Sequence, residues 1–269
     1  MPRAQLCRST LITIAGMFLA TSLTRGVFAQ TSIPIGVKNV VLVHGAWADG
    51  SSWSKVIPLL EARGLHVVAV QNPLTSFAED VAATNRTIDS QDGPVLLVGH
   101  SYGGAVITEA GNNPKVVGLV YVAAFAPDTG ESAGGLAKPY GPTPGIAELR
   151  PIADGFLVIT PKGVLEDFAQ DLSLAEKAEM IATQGETQGA VLGATITTAA
   201  WRTKPSWFVI ASNDRMIAPE QERVTVKRMN ARTLTLPTSH VAMLAMPKEV
   251  AAFIADAATG PVNSAPAGN

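Results

Sequence analysis

The sequence predicts an α/β fold with a mostly parallel six-stranded sheet, helices on both faces and a small helical cap. Short apolar runs alternate with stretches of helical length over most of the 269 residues. The runs are continuously apolar instead of alternating with polar residues, which is typical of parallel strands buried on both faces. The alternation stops after Pro127 and resumes near residue 200, which predicts one long insertion.

Each element of this fold follows from a local pattern. Six apolar runs are predicted to be strands: 38–43, 66–70, 94–98, 116–122, 206–211 and 232–236. The segments between and after them are predicted to be helices: about 53–63, 76–89, 102–112, 219–230 and 247–258. The order of these elements predicts parallel strands joined by helical crossovers.

The insertion at about 127–200 does not continue this alternation. It contains Gly- and Pro-rich turns, a short apolar run at 156–159 and helical stretches at about 162–169 and 174–183. It is too long for an ordinary loop. We expect a cap over the carboxyl edge of the sheet, where open parallel sheets bind their ligands.

The first 29 residues have the layout of a secretory signal peptide. Arg3 and Arg8 precede an apolar run at 11–23, and Val27 and Ala29 occupy the −3 and −1 positions of a cleavage site. A membrane anchor is the alternative, but the run is shorter than the roughly 20 residues needed to span a bilayer. We therefore expect cleavage, export to the periplasm or medium, and a mature domain at 30–258.

Composition limits the possible partners. The net charge is −2 and basic residues are scattered, which disfavours nucleic acid and, after signal cleavage, membrane surfaces. Cys7, the only cysteine, lies in the predicted signal peptide, so the mature chain would have no disulfide. The tail at 259–269 is small, polar and rich in Pro and Gly, and is predicted to be disordered. The sequence does not predict an oligomeric state.

The segment Gly99–Gly103 reads Gly-His-Ser-Tyr-Gly and follows the third predicted strand directly. This G-x-S-x-G pattern, between a strand and a helix, is typical of a turn that projects a serine hydroxyl above the sheet. The flanking glycines allow the strand and helix to approach closely. Ser101 is therefore the candidate nucleophile.

A serine nucleophile needs a general base, and the chain has four histidines. His44 and His100 lie in tight turns beside glycines, and His66 begins a strand and is interpreted as structural. His240 follows the last predicted strand, at the same sheet edge as Ser101. It is the candidate base.

The acid that orients this base should lie between serine and histidine in the chain. Asp214 follows the penultimate strand, and Asp128, which follows the fourth, is the rival. We favour Asp214 because the last two strands should be neighbours in the sheet. Three further aspartates lie in the cap and fit capping or surface charges: Asp154, Asp167 and Asp171.

The oxyanion of the reaction needs two backbone N–H donors. The residue after the nucleophile supplies one, which is Tyr102 here, and the loop after the first strand supplies the other. In that loop Ala46 follows His44 and Gly45, so its N–H is the second candidate.

With these residues, the chain from about Asn39 to Ala258 resembles compact α/β-hydrolases of the plant methylesterase and hydroxynitrile lyase type and their bacterial esterase relatives. The resemblance rests on five segments: Val43–Trp47, Gly99–Gly103, Tyr121–Pro127, Ser206–Asp214 and Ser239–Pro247. It implies an α/β-hydrolase fold, a Ser-His-Asp triad and no metal or organic cofactor.

Within this resemblance, single residues separate the possible reactions. Dehalogenases and epoxide hydrolases of this fold carry an aspartate at the elbow, whereas this chain has Ser101. Hydroxynitrile lyases carry a lysine after the histidine and a threonine in the first loop, where this chain has Val241 and Gly45. The resemblance therefore implies hydrolysis of a small carboxylic ester through an acyl-enzyme.

Three alternatives stay open at this point. The chain could be a small-molecule binding protein with a vestigial triad, as some similar proteins are hormone receptors. Hydroxynitrile lyase-type activity is disfavoured but shares the fold, and acyl transfer or perhydrolysis would use the same residues.

An apolar pocket for a small ester, aromatic and alicyclic esters among them, is predicted from large apolar side chains near the cap and first loop. The candidates are Trp47, Phe125, Phe156, Phe168 and Trp201. Each of them would fit equally well as part of an ordinary packed core.

Overall fold

The computed structural model describes Met1 and residues 36–259. The predicted signal peptide, apart from Met1, and the tail beyond residue 259 lie outside the described residues, so both stay predictions. Within the described part of the chain, the helices are too short or too polar to cross a membrane.

The main sheet has six strands, and all of their pairings are parallel. The strands are β1 (Asn39–Val43), β2 (His66–Ala69), β3 (Val95–Ser101), β4 (Val116–Ala124), β8 (Ser206–Ala211) and β9 (Arg232–Leu236). Their order is β2-β1-β3-β4-β8-β9. The predicted parallel six-stranded α/β sheet is confirmed.

The strand order brings two loops together. The chain leaves β1 toward β2 on one side and returns as β3 on the other side, with Leu42 opposite Val98. The loops after β1 and β3 therefore diverge from adjacent strand ends, which is where open α/β sheets form a binding crevice. His44–Trp47 and Ser101 lie at this point.

Helices cover both faces of the central strands. Those outside the insertion are α1 (Ile57–Glu61), α2 (Phe77–Asp89), α3 (Gly103–Ala110), α8 (Pro219–Met229), α9 (Ala242–Ala245) and α10 (Pro247–Thr259). Helix α3 packs on β3, β4 and α2, while α10 packs on the same two strands and on α1. Every side chain of β3 is buried as a result, which explains its unbroken apolar run.

The insertion forms a cap with a small sheet of its own. Its helices are α4 (Ala133–Ala137), α5 (Pro144–Ala147), α6 (Pro161–Gly163) and α7 (Leu174–Thr183), and a π-helical turn at Val164–Phe168 continues α6. Its strands β5 (Leu149–Pro151), β6 (Phe156–Ile159) and β7 (Thr187–Gln188) form an antiparallel sheet. The sequence analysis predicted a helical cap and did not anticipate this sheet, since β5 and β7 have only three and two residues.

Candidate active site

Ser101 is the last residue of β3 and has a backbone φ of 53°, in the left-handed region that non-glycine residues rarely adopt. Such backbone costs about 1–3 kcal/mol and persists where the surroundings fix it. Here the chain turns at once into α3, and a methyl group at Gly103 would lie only 2.5 Å from the His44 carbonyl oxygen. The close approach of α3 to the end of β1 therefore requires glycine and forces the bend at Ser101.

His240 and Asp214 form a buried pair at the same edge of the sheet. His240 Nδ1 donates to Asp214 Oδ2 at 2.6 Å, and the side chains are 1% and 0% exposed. The other carboxylate oxygen accepts the backbone N–H groups of Met216 and Ile217 at 2.7 and 3.0 Å. Three donors thus fix the Asp214 carboxylate. Because a carboxylate only accepts hydrogen bonds, His240 Nδ1 must carry the imidazole proton. His240 Nε2 is left as a proton acceptor.

Asp128, the rival acid, is engaged elsewhere. Its carboxylate accepts from Arg202 Nε at 2.5 Å and from Nη2 of the same guanidinium. The guanidinium lowers the pKa of Asp128, chiefly through this hydrogen bond. The structure pairs His240 with Asp214 and not with Asp128.

Gly45 brings the loop after β1 against the elbow. A methyl group at this position would lie 2.8 Å from Ser101 Cβ, so only glycine allows the approach. The next residue, Ala46, is buried. Within residues 36–259, no protein group accepts the backbone N–H of Ala46 or of Tyr102. Buried N–H groups are nearly always paired, so two such donors beside one serine are unusual.

Trp47, the next residue of this loop, has a φ of 56°. Its backbone N–H donates to Thr187 Oγ1 at 2.9 Å, and its indole Nε1 donates to the Leu157 carbonyl oxygen at 3.1 Å. Both acceptors belong to the cap sheet. The cap therefore holds the strained loop that carries Ala46.

Tyr102 is fixed by a residue of α2. Its hydroxyl donates to Asp80 Oδ2 at 2.7 Å, and Asp80 Oδ1 accepts the Leu74 N–H at 2.8 Å. Burial raises the pKa of Asp80, and the hydrogen bonds from Tyr102 and Leu74 oppose this rise. The side chain of Tyr102 is thus anchored to α2 through Asp80.

The two histidines beside glycines have supporting roles. Asn72 N–H donates to His44 Nε2 at 2.9 Å, so the proton lies on Nδ1, which donates to the Gly45 carbonyl at 2.8 Å. His100 Nε2 donates to the His240 carbonyl at 3.0 Å. Burial lowers the pKa of both imidazoles, which keeps them neutral. His44 lies in the loop after β1 as predicted, whereas the prediction for His100 is wrong, because His100 is the penultimate residue of β3.

The predicted pocket residues separate into two groups. Phe168 packs edge-on against the His240 ring at 5.1 Å, and the Phe125 N–H donates to the Ser101 carbonyl at 3.1 Å. With Trp47, they lie beside the candidate catalytic residues. Phe156 is half-buried in β6. Two guanidinium groups lie over the Trp201 ring, at 5.2 and 5.4 Å from its centroid, and its Nε1 donates to the Pro127 carbonyl oxygen.

A cleft of about 120 Å³ opens beside Trp47, between α7 and the segment after β1. Lys55, Glu176 and Leu244 line it, whereas Ser101 and His240 do not. Among the residues that the structure describes, His, Cys, Asp and Glu form no group of three suited to a metal ion.

Sequence reasoning missed several polar side chains around this site. Thr187 and Asp80 are fully buried, and they hold the loop after β1 and the Tyr102 side chain, respectively. Glu222, also buried, accepts the Ala211 N–H at 3.0 Å behind Asp214. Asp171 is exposed, as its interpretation as a capping or surface charge implies, and it also accepts the Ser239 N–H at 2.6 Å. The contacts of Thr187 and Asp171 join residues 140 and 68 positions apart, and no local pattern could have revealed them.

Comparison with known proteins identifies the protein family. The model of the alpha/beta hydrolase family matches residues 40–253, and the chain belongs to that family. This confirms the family predicted from the sequence.

Several members of this family are similar to the chain in sequence or structure. The chain is 28% identical to a pyrethroid hydrolase of Sphingobium wenxiniae, with 84% of this chain and 89% of that protein aligned. It is 37% identical to salicylic acid-binding protein 2 of Nicotiana tabacum over 34% of this chain and 41% of that protein. The crystal structure of a pyrethroid hydrolase from Sphingobium faniae has a TM-score of 0.71 at 25% identity, covering 83% of this chain and 98% of that one. The similar proteins include several hydrolases and esterases, which confirms the predicted enzyme class of ester hydrolase.

Proposed function

We propose that the protein is a serine hydrolase that cleaves a small carboxylic ester through an acyl-enzyme on Ser101. The observation that carries the proposal is the buried 2.6 Å hydrogen bond from His240 to Asp214, at the sheet edge where the strained Ser101 ends β3. This pair leaves His240 Nε2 as the base that a serine hydroxyl requires.

In the proposed reaction, Ser101 Oγ attacks the ester carbonyl carbon while its proton passes to His240 Nε2. The N–H groups of Ala46 and Tyr102 bind the resulting oxyanion. His240 then returns the proton to the leaving alcohol as the carbon–oxygen bond of the ester breaks. Water attacks the acyl-enzyme with His240 again as base, and the acid leaves as Ser101 regains its proton.

The Ser101→Ala variant tests this mechanism. The substitution removes the nucleophile and leaves a small residue at the turn, so we expect turnover of p-nitrophenyl acetate to fall by about 10³-fold or more. The thermal midpoint should not decrease, because a serine in this position contributes little to packing. Wild-type turnover by a folded S101A variant would exclude the proposed reaction.

A binding protein with an inactive triad is the second candidate, and similarity to a salicylic acid-binding protein favours it. Such a protein would bind small aromatic acids or esters and turn over none of them. Measured turnover of p-nitrophenyl acetate that depends on Ser101 would decide for the enzyme.

Hydroxynitrile lyase-type activity is less well supported. One relative is an alpha-hydroxynitrile lyase of Arabidopsis thaliana, 34% identical over 33% of this chain. However, Val241 beside the base is 1% exposed and supplies no cation to stabilise a cyanide ion. Gly45 likewise offers no hydroxyl in the first loop.

We further propose an apolar acyl or alcohol site near Phe168 and Phe125, and export of the protein by the segment at 1–29. A panel of esters varied separately in acyl and alcohol size tests the first point. The mass of the exported protein tests the second, since cleavage before Gln30 defines a single expected value.

A further inference from the structure

A short segment of the cap, Phe168–Asp171, contacts both loops that carry the Asp–His pair. Asp171 Oδ2 accepts the Ser239 N–H at 2.6 Å, one residue before His240. Gln170 Nε2 donates to the Asn213 carbonyl at 2.8 Å, one residue before Asp214. Phe168 covers one edge of the His240 ring. Three contacts from this segment therefore connect the cap to Asp214 and His240 or to the residues that precede them.

The segment is itself held in place. Lys177 of α7 is buried and its Nζ donates to the Gln170 carbonyl at 3.0 Å. Arg215, directly after Asp214, donates to the Glu166 carbonyl at 2.9 Å from the other side. Phe168 is 2% exposed. The segment is therefore anchored at Gln170 and just before Phe168. A shift of the cap would move the segment and, with it, the two loops that it contacts.

The backbone of His240 is fixed from two directions. His100 Nε2 holds the His240 carbonyl at 3.0 Å, and Asp171 holds the preceding Ser239 N–H. The second bond comes from an exposed residue of the cap, whose carboxylate accepts the Ser239 N–H at 2.6 Å. The imidazole needs this fixation because a displacement of about 1 Å can reduce the rate by up to about 100-fold.

We infer that Asp171 is a positioning residue for His240: through Ser239 it fixes the backbone that carries the base paired with Asp214. The inference rests on the proposed role of His240 as the general base. The cap would then position His240 in addition to covering the substrate, because Asp171 belongs to the cap. Asp171 acts through the backbone and does not touch the reacting atoms.

Two substitutions and one control test the inference in the full chain. Asp171→Ala removes the acceptor, and Asp171→Asn retains an oxygen that can accept the Ser239 N–H without the charge. The control is Glu179→Ala, which removes an exposed carboxylate from α7 in the same cap. Turnover of p-nitrophenyl acetate and p-nitrophenyl butyrate is measured, together with the thermal midpoint and the NMR resonance of the His240 Nδ1 proton.

We expect D171A to lower kcat by about 10- to 100-fold with KM unchanged, and by the same factor for both esters, because His240 serves both. D171N should recover most of this loss, E179A should match the wild type, and the Nδ1 proton resonance should shift or broaden only in D171A. If alanine prevents folding, serine takes its place, since its hydroxyl is too short to reach Ser239 N–H.

A folded D171A variant with wild-type kcat and an unchanged Nδ1 resonance would overturn the inference. A loss confined to KM, or one that differs between the two esters, would also contradict it and would indicate a substrate contact. Because the resonance reports the imidazole without turnover, the inference stays testable even if S101A shows that the proposed reaction is wrong.

Discussion

At the scale of single residues, Glu222 is a carboxyl group without access to water, placed behind Asp214, the candidate acid. One oxygen accepts the Ala211 N–H, while the other has no partner among the described residues. Burial raises the pKa of Glu222 well above its ordinary value, and the charge of Asp214 adds to this rise. The nearby Arg223 and the Ala211 N–H oppose it only in part. The neutral form of Glu222 is therefore favoured in the folded protein at pH values where an exposed glutamate loses its proton.

The sign of the pH effect follows from this raised pKa. Below the pKa of about 4.3 that Glu222 has in the unfolded chain, the folded and unfolded states both hold its proton. The contribution of Glu222 to the free energy of unfolding is then at its maximum. As pH rises from there toward the folded pKa, only the unfolded state loses its proton. The contribution of Glu222 to the free energy of unfolding then falls by up to about 1.4 kcal/mol per pH unit.

The Glu222→Gln variant should abolish this loss, because glutamine can still accept the Ala211 N–H and has no proton to release. We expect the difference in the free energy of unfolding, E222Q minus wild type, to grow from pH 4 to neutral pH. Urea unfolding at several pH values measures it, and other carboxylates cancel in the comparison. A difference that is independent of pH would show that Glu222 is ionised in the folded state.

Residue types and their positions at strand ends were enough to predict Ser101, His240 and Asp214 as candidates. The motif places the serine, and the edge of a parallel sheet brings the other two residues to it. The tautomer of His240 could not be predicted, since it depends on the hydrogen bond to Asp214. Glu222 looked like one more acidic residue in the first turn of a helix, where acidic residues are common.

At the scale of elements, the loop after β1 depends on the cap strand β7. Thr187 is fully buried, and its hydroxyl accepts the Trp47 N–H while donating to the Gly185 carbonyl at 3.3 Å. The neighbouring Ala46 N–H is the candidate oxyanion donor. The geometry of this donor therefore depends on one hydroxyl group in the cap.

The Thr187→Val variant keeps the shape of the side chain and removes the hydroxyl, leaving the Trp47 N–H without an acceptor. We expect the free energy of unfolding to fall by about 1–3 kcal/mol. We expect kcat to fall by about 10-fold or more as the loop relaxes, since loss of one oxyanion donor costs about 10²–10³. Urea unfolding and p-nitrophenyl acetate kinetics measure the two effects.

Thr187→Ser is the matched comparison for this substitution, because it retains the hydroxyl and removes only a methyl group. It should keep most of the wild-type kcat. Equal kcat values for T187V and the wild type would show that the hydroxyl does not control the oxyanion loop.

Elements with strong local patterns were predicted closely. The helix predicted at 174–183 is found at Leu174–Thr183, and Ser173 caps it with Glu176 in a capping box. By contrast, the predicted helix at about 53–63 is a 3₁₀ turn at Gly50–Trp53 followed by α1. Pro58 near the start of α1 fits only the first helical turn, which explains the division.

At the scale of the whole molecule, the cap is joined to the hydrolase body at several separate places. Besides Thr187 and Asp171, the Gln188 N–H donates to the Leu74 carbonyl at 2.8 Å. Lys55 connects the body to Glu176 of α7 by an ion pair and donates to the Leu244 carbonyl at 3.0 Å. Together with the hydrogen bond from Gln170 to Asn213, these contacts join the cap to the loops that carry Ala46, His240 and Asp214.

The parallel sheet could be predicted because most of its strands are continuous apolar runs in the sequence, although β9 alternates polar and apolar residues. The contacts between cap and body could not, since each joins residues far apart in the chain: Trp47 and Thr187 are 140 positions apart, and Asp171 and Ser239 are 68. Such pairs depend on the packing of the folded molecule and leave no periodic signal.

Covalent labelling of Ser101 tests the proposed chemistry most directly. A fluorophosphonate ester would be incubated with the wild-type protein and with S101A, and adducts would be located by mass spectrometry. We expect one adduct per wild-type chain, on Ser101, with ester hydrolysis lost in step with labelling, and no adduct on S101A. Hydrolysis that persists in fully labelled protein, or an adduct found elsewhere while Ser101 stays unmodified, would contradict an acyl-enzyme on this serine.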